Sequence, residues 1–255
     1  MARNPGFFNY FTEMALGRSK TRKRIHQFGA NHLVSTVVVD IWIVSGIYVW
    51  LQAPVTLEAI SDSANDDASG TGARTIVLHG LDSNWDEIDE EITMNGTSAT
   101  ASTTQTFIRI NEAHVTSCGT YSDANDGIIT IRTSGGGATH LTIHVDEGLG
   151  TGESQAARFS VPRGKKALVH GIHLWTNNNK PVTVWMLMRE GGNIVTAPFK
   201  ARRLLVEFSG MTAPEDHDET TPLTISEYSD IYFQAIAGAG STDVSIDFDI
   251  MQVDL

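Results

Sequence analysis

Histidine pairs, an acidic and amide triplet, an acidic loop, a glycine-rich run and a single cysteine are the residues whose types and spacing can do chemistry in this chain. His140 and His144 stand four apart in HLTIH, on one face of a predicted strand, while His170 and His173 in HGIH are three apart and fall on opposite faces. A catalytic zinc takes three protein ligands, and neither pair has a third near it in sequence. These histidines are therefore expected on polar faces or in loops, with no metal. Asp82, Asn84 and Asp86 open a calcium-loop pattern, but Glu87 stands where that loop requires glycine and Thr93 where it requires glutamate, so a turn is expected.

The run from Glu215 to Glu219 (EDHDE) can gather a cation, yet it reads as an exposed charged loop. GLGTGES at 148–154 lacks the lysine of a phosphate-binding loop and reads as a flexible connector. Cys118 has no local motif to activate it, and as the only cysteine it can form no intrachain disulfide, which fits a reducing compartment. No nucleophile elbow occurs. The expectation is a protein without enzymatic activity and without a cofactor. A hydrolytic depolymerase stays open only in so far as a fold can bring distant carboxylates together. Trp85, Trp175 and Trp185 are the candidate platforms for a sugar ring. Trp175 and Trp185 sit in apolar strands and read as packing, which leaves Trp85 as the possible ligand platform.

The elements that must position these residues are strands. Charged residues are 19% and aromatics 8% of the 255 residues, and the sequence breaks into short β-branched runs between Gly, Asn, Asp and Pro turns. Val244, Ile246, Phe248 and Ile250 alternate with Ser245, Asp247 and Asp249, the pattern of a strand with one buried face. VTVWMLM at 182–188 carries apolar residues on both faces and is expected to be central or pressed against a partner. The predicted fold is all-β, with two antiparallel β-sandwich, jelly-roll-like modules at 55–150 and 151–255 behind an extended N-terminal arm at 1–54.

In that arm Phe7, Phe8, Phe11, Met14 and Ala15 have helical spacing, and Arg18, Lys20, Arg22, Lys23 and Arg24 follow. The net charge is +5 over residues 1–25 and −17 over the remainder, so the body repels phosphate backbones and no direct nucleic-acid partner is expected. LVSTVVVDIWIVSGIYVWL at 33–51 approaches membrane-spanning length. Asp40 near its middle and its β-branched composition favour two buried strands, VVVDIWIV and IYVWL, over a membrane anchor. A membrane is accordingly not an expected partner.

The chain resembles a family of small virion-associated proteins of tailed phages, many of them marine. The resemblance lies in IHQFGAN at 25–31, GTGARTIVLHGLDSNWDEIDEEITMNGTSA at 70–99, TFIRINEAHVTSCG at 106–119, GIITIRTSGGG at 127–137 and FSVPRGKKALVHGI at 159–172. It departs from the family at VVVDIWIVSGIYVW, which is more hydrophobic than the usual stretch. The resemblance implies a virion protein assembled in the host cytoplasm. Such a protein decorates or cements a capsid, or serves the neck, tail or fibre, with other virion subunits as its partners, and closed symmetry makes self-assembly, as a homotrimer above all, a further expectation. The arm, with Phe7, Phe8, Phe11 and the basic residues, is the expected docking element. A carbohydrate- or receptor-binding fibre module is the alternative.

Overall fold

The computed structural model of the protein describes residues 21–121, 123–177 and 180–255, with Glu219 and Thr220 by backbone alone. The regular elements among them are strands: β1 (Arg22–Val34), β2 (Val39–Asp40), β3 (Leu57–Ser61), β4 (Ala73–Leu81), β5 (Glu87–Thr93), β6 (Arg109–Cys118), β7 (Ile129–Thr133), β8 (Thr139–Asp146), β9 (Leu149–Ser154), β10 (Arg158–Ser160), β11 (Lys165–Thr176), β12 (Val182–Arg189), β13 (Arg202–Met211), β14 (Glu215–Ile225), β15 (Asp230–Ala237) and β16 (Thr242–Asp254). The expected short helix, with Phe7, Phe8, Phe11, Arg18 and Lys20, lies outside the described residues.

One sheet has the order β1-β16-β11-β14 and a second the order β10-β15-β12-β13, with β2 also paired to β15. Early and late strands alternate in both, the order that two Greek keys produce in a jelly roll. The sheets face each other because their strands alternate. Val244, Ile246, Phe248 and Ile250 of β16 point inward, against Val182, Val184 and Met186 of β12 and Ile231, Phe233 and Ala235 of β15. The rings of Phe233 and Phe248 meet across the core at 5.1 Å. Each such side chain contributes about 1.5–3 kcal/mol by leaving water.

Between β2 and β10 the chain builds a second body, an antiparallel sheet of order β3-β7-β8-β9-β6-β4-β5. The sheet curls until its ends nearly meet. The segment after β5 runs back along β3, with Thr100 N donating to Ala59 O at 2.9 Å, Thr103 N to Leu57 O at 2.8 Å and Phe107 N to Val55 O at 2.8 Å. That covers the free edge of β3. The curl encloses a core of Leu57, Ile76, Leu78, Phe107, Ile129, Ile131, Leu141 and Ile143.

The two bodies are joined by a buried ion pair. Arg109 of β6 is 2% exposed and Asp230 of β15 1%. Arg109 Nε donates to Asp230 Oδ1 at 2.8 Å and Nη2 to Oδ2 at 2.9 Å. The remaining guanidinium hydrogens go to the carbonyls of Leu51, Ile108 and Gly192, and Ser160 Oγ donates to Asp230 at 2.6 Å. Trp50 and Trp85 flank the guanidinium at 5.2 and 4.8 Å, a cation–π sandwich in a dry site. Gly192 has no side chain because a Cβ there would lie 2.4 Å from the Trp85 ring. Alongside, Arg158 of β10 lies 3.7 Å over the ring of Tyr48, and burial pushes its pKa down.

Several expectations need correction. Arg22, Lys23 and Arg24 belong to no free arm. They begin β1, whose partner β16 comes from the other end of the described chain, so β1 and β2 of the expected arm share one body with β10 to β16 of the expected second module. VVVDIWIV and IYVWL are not two strands. Val34, Val39 and Ile41 enter the jelly-roll core, Trp42 and Tyr48 enter the other, and Ser45 and Gly46 turn between them with φ of 64° and 76°. Asp40 makes that split possible by accepting from Tyr48 N at 2.6 Å and Gln234 Nε2 at 2.8 Å. Among the described residues no helix is long and apolar enough to cross a membrane. GLGTGES is mostly strand β9 rather than a connector, because it folds back on β8 as a tight hairpin and meets His114 of β6 at Glu153, and the acidic run begins strand β14, which pairs with β11 far earlier in the chain.

Breaking the joint strands a buried charge. Arg109→Met and Asp230→Leu are each expected to lower unfolding free energy by about 3–5 kcal/mol, while the double variant loses much less than their sum. Urea unfolding of the four proteins in a double-mutant cycle measures this, and additive losses would contradict a coupled pair.

Candidate functional site

Among the described residues two concave places have the chemistry of a site: the first is lined by Trp185, which the sequence reads as packing, and the second is floored by residues that the sequence did not single out. Trp85 is the first correction: it is 2% exposed, packed on Arg109 and edge-on to Tyr228 at 5.7 Å, so both faces are used inside the chain. It sits in the turn Asp82–Asp86, where Asp82 Oδ1 accepts from Asn84 N at 2.8 Å and Asp86 N at 3.0 Å. This is the expected turn, but it holds Trp85 at a φ of 66°, a conformation a bulky residue adopts only when its side chain is firmly packed. Arg24 donates to Asp249 at 2.8–3.1 Å, and Arg22 and Lys23 lie beside it on β1. His173 lies 3.0 Å from Asp216 on the same outer sheet face, a contact that raises its pKa against the effect of burial.

The first concave place is a hollow of about 400 Å³ on the outer face of the second jelly-roll sheet, lined by Val38, Trp185, Leu187, Arg202, Leu204 and Gln234. It exists because β12 carries apolar residues on both faces: Val184, Met186 and Met188 fill the core, while Trp185 and Leu187 point away from it. Part of that outer face is covered by the inserted body, where Trp50 packs edge-on against Tyr232 at 5.7 Å. The rest is open, and Leu204 is 53% exposed.

The second is a cleft of about 280 Å³ where β1 passes the polar face of the inserted sheet, lined among others by Lys23, His26, His79, Asp89 and Glu112. Its floor is a row across three strands, since His79 of β4 pairs with Asp89 of β5 on one side and Glu112 of β6 on the other. The register of β6 shifts there, leaving Asn111 as the extra residue of a bulge. Asn111 reaches the backbone of Ser160 at 2.9 and 3.2 Å, and Glu112 is brought opposite His79. His114, two residues on and hence on the same face, stacks on His79 with centroids 5.1 Å apart. His79, Glu112 and His114 can each offer a ligand atom within 4.8 Å of the others. His79 Nδ1 lies 2.6 Å from Asp89 Oδ1, and His114 Nδ1 3.1 Å from Glu112 Oε1. Opposite His114 on β9 stands Glu153, whose pKa is raised by burial and by the charge of Glu112.

Sequence reasoning passed over these three residues because their association depends on strand register. Its only trace is the alternation of Glu112 and His114 in NEAHV. His140 turns out to be internal, 1% exposed, between the Tyr48 hydroxyl at 3.2 Å from Nδ1 and Thr133 Oγ1 at 2.9 Å from Nε2. Arg158 also donates to its carbonyl.

No family model matches the chain, and no curated protein does. Among solved structures the chain is similar to infectious bursal disease virus, Gx strain, at 9% identity and a TM-score of 0.27, over 92% of this chain and 73% of that one. It is similar also to the VP2 subviral particle of the same virus, at 10% identity and a TM-score of 0.22, over 92% and 77%. Superpositions this loose carry no argument about this chain's role, and the jelly-roll order rests on its own hydrogen bonds.

Burial, aided by the charge of Arg158, pushes the pKa of His140 from 6.5 down to about 4. The unfolded chain takes up this proton near pH 6.5 and the folded chain resists until about pH 4, so stability falls as pH drops through that window. The loss approaches roughly 3 kcal/mol at its limit. In urea titrations between pH 7 and 4.5, His140→Gln is expected to flatten that decline relative to wild type. A difference between the two that stays constant with pH would refute it.

Proposed function

We propose that the chain is a non-enzymatic structural subunit of a tailed-phage particle, which joins or decorates neighbouring subunits as a capsid cement protein or a neck or tail accessory. One observation carries this reading, the open apolar hollow of Trp185, Leu187 and Leu204 on the outside of a rigid jelly roll. An apolar patch edged by Arg202 is what a protein partner covers, and the same face already receives the inserted body through Tyr232 and Trp50. The family resemblance in sequence supports a particle as its setting. Closed cyclic assembly, with a trimer favoured, would repeat this contact around an axis.

A carbohydrate-binding fibre module is the second reading. It draws on Trp185 standing in one hollow with the exposed Arg202, an aromatic platform with a polar group beside it.

Leu204→Lys tests both. At 53% exposure the change is expected to alter stability by no more than about 0.5 kcal/mol, yet to abolish self-association in light scattering and retention on washed particles. Unchanged association would remove the hollow from docking, absence of the protein from washed particles would overturn the virion reading, and selective glycan capture by wild type would favour the second.

A further inference from the structure

We propose that His79, Glu112 and His114 form a binding site for one zinc-like divalent transition-metal ion on the polar face of the inserted body. Two imidazoles and a carboxylate are a donor set that suits zinc, nickel or copper, whereas calcium and magnesium ask for oxygen alone. The ligand atoms lie within 4.8 Å of one another, against about 3.3–3.6 Å between ligands around a tetrahedral zinc with bonds of roughly 2.0–2.2 Å. Small rotations of the side chains close that gap. Their side chains are 25–38% exposed, so they have room to turn.

The backbone supplies the convergence. Direct pairing across β4 and β6 sets His79 opposite Glu112, the bulge at Asn111 fixes that register, and a spacing of two keeps His114 on the same face. Gly80, next to His79, permits the close approach, since a Cβ there would lie 2.3 Å from the Arg109 carbonyl.

The surroundings favour a cation as well. Asp89 holds Nδ1 of His79 at 2.6 Å, which orients the ring and leaves Nε2 as its donor atom, the arrangement by which a carboxylate commonly supports a metal-bound histidine. Glu153 pairs directly opposite His114 and, with Glu112, crowds carboxylates around that imidazole. A bound cation relieves that crowding. Three protein ligands leave one position for water, and His79 and Glu112 both line the cleft. The ion would staple β4 to β6 within the inserted body.

The test uses the full chain, stripped with chelator and titrated with Zn2+ by calorimetry, with Co2+ in parallel by visible absorption and with Ca2+ as a control. Wild type is expected to take up one Zn2+ saturably, to show the intense absorption of four-coordinate Co2+, to ignore Ca2+, and to melt at a higher temperature with zinc. His79→Ala and His114→Ala are each expected to weaken binding by more than about a hundredfold, and Asp89→Asn by about tenfold or more. His173→Ala, at the other histidine–aspartate pair, is expected to change nothing. Should the alanine variants fail to fold, His79→Gln and Glu112→Gln replace them. Absence of a saturable first ion in wild type, or its retention with unchanged affinity in the variants, overturns the proposal.

Discussion

The architecture depends on a guanidinium and a carboxylate that meet away from water. Arg109 comes from the inserted body and Asp230 from the jelly roll, and the hydrogens of the one and the oxygens of the other are spent on partners from both. An ion pair of this kind contributes little net stability, because desolvating two charges costs about as much as their attraction returns. What it contributes is uniqueness: in any other seating of the two bodies these charges would be buried unpaired. The aromatic pair Trp50 and Trp85 keeps water out, and the tight packing of Gly192 leaves no room for a looser arrangement.

Charge follows the same logic at the surface. The basic cluster and the acidic body look like separate halves in the sequence, yet the fold lays Arg24 and His26 of β1 directly against Asp249 of β16. The second sheet behaves oppositely, with apolar side chains on both faces. Its β15 is buried almost throughout because one side meets the core and the other meets the inserted body.

Local alternation made most strands legible, and β16 carries the very faces that Val244, Ile246, Phe248 and Ile250 announce. What alternation cannot express is pairing between distant segments. It reads β9 as a linker for its glycines, although β9 folds back on β8 and meets β6 at Glu153, and it reads β14 as a loop for its acids, although β11, far earlier in the chain, holds it. Trp85 fails as a platform because its partner Arg109 is remote in sequence. Likewise, the cluster of His79, Glu112 and His114 depends on which residue of β4 faces which residue of β6, and a one-residue bulge decides that. The apolar excess of β12 was visible as an excess; the sheet face on which it would surface was not.

Inserting one body between β2 and β10 has a consequence for how the chain acquires its shape. The curled sheet is drawn from one continuous stretch, so all its partners are made before β10 is. The jelly roll is not, for Arg24 waits for Asp249 across 225 positions. During synthesis the inserted body can therefore complete itself while β1 and β2, with Ile25, Val34 and Ile41, have no sheet to join. Contacts so widely separated form slowly, and strand edges left unpaired meanwhile are open to other chains. The interval between the two events is the period in which this protein is most exposed to misassembly.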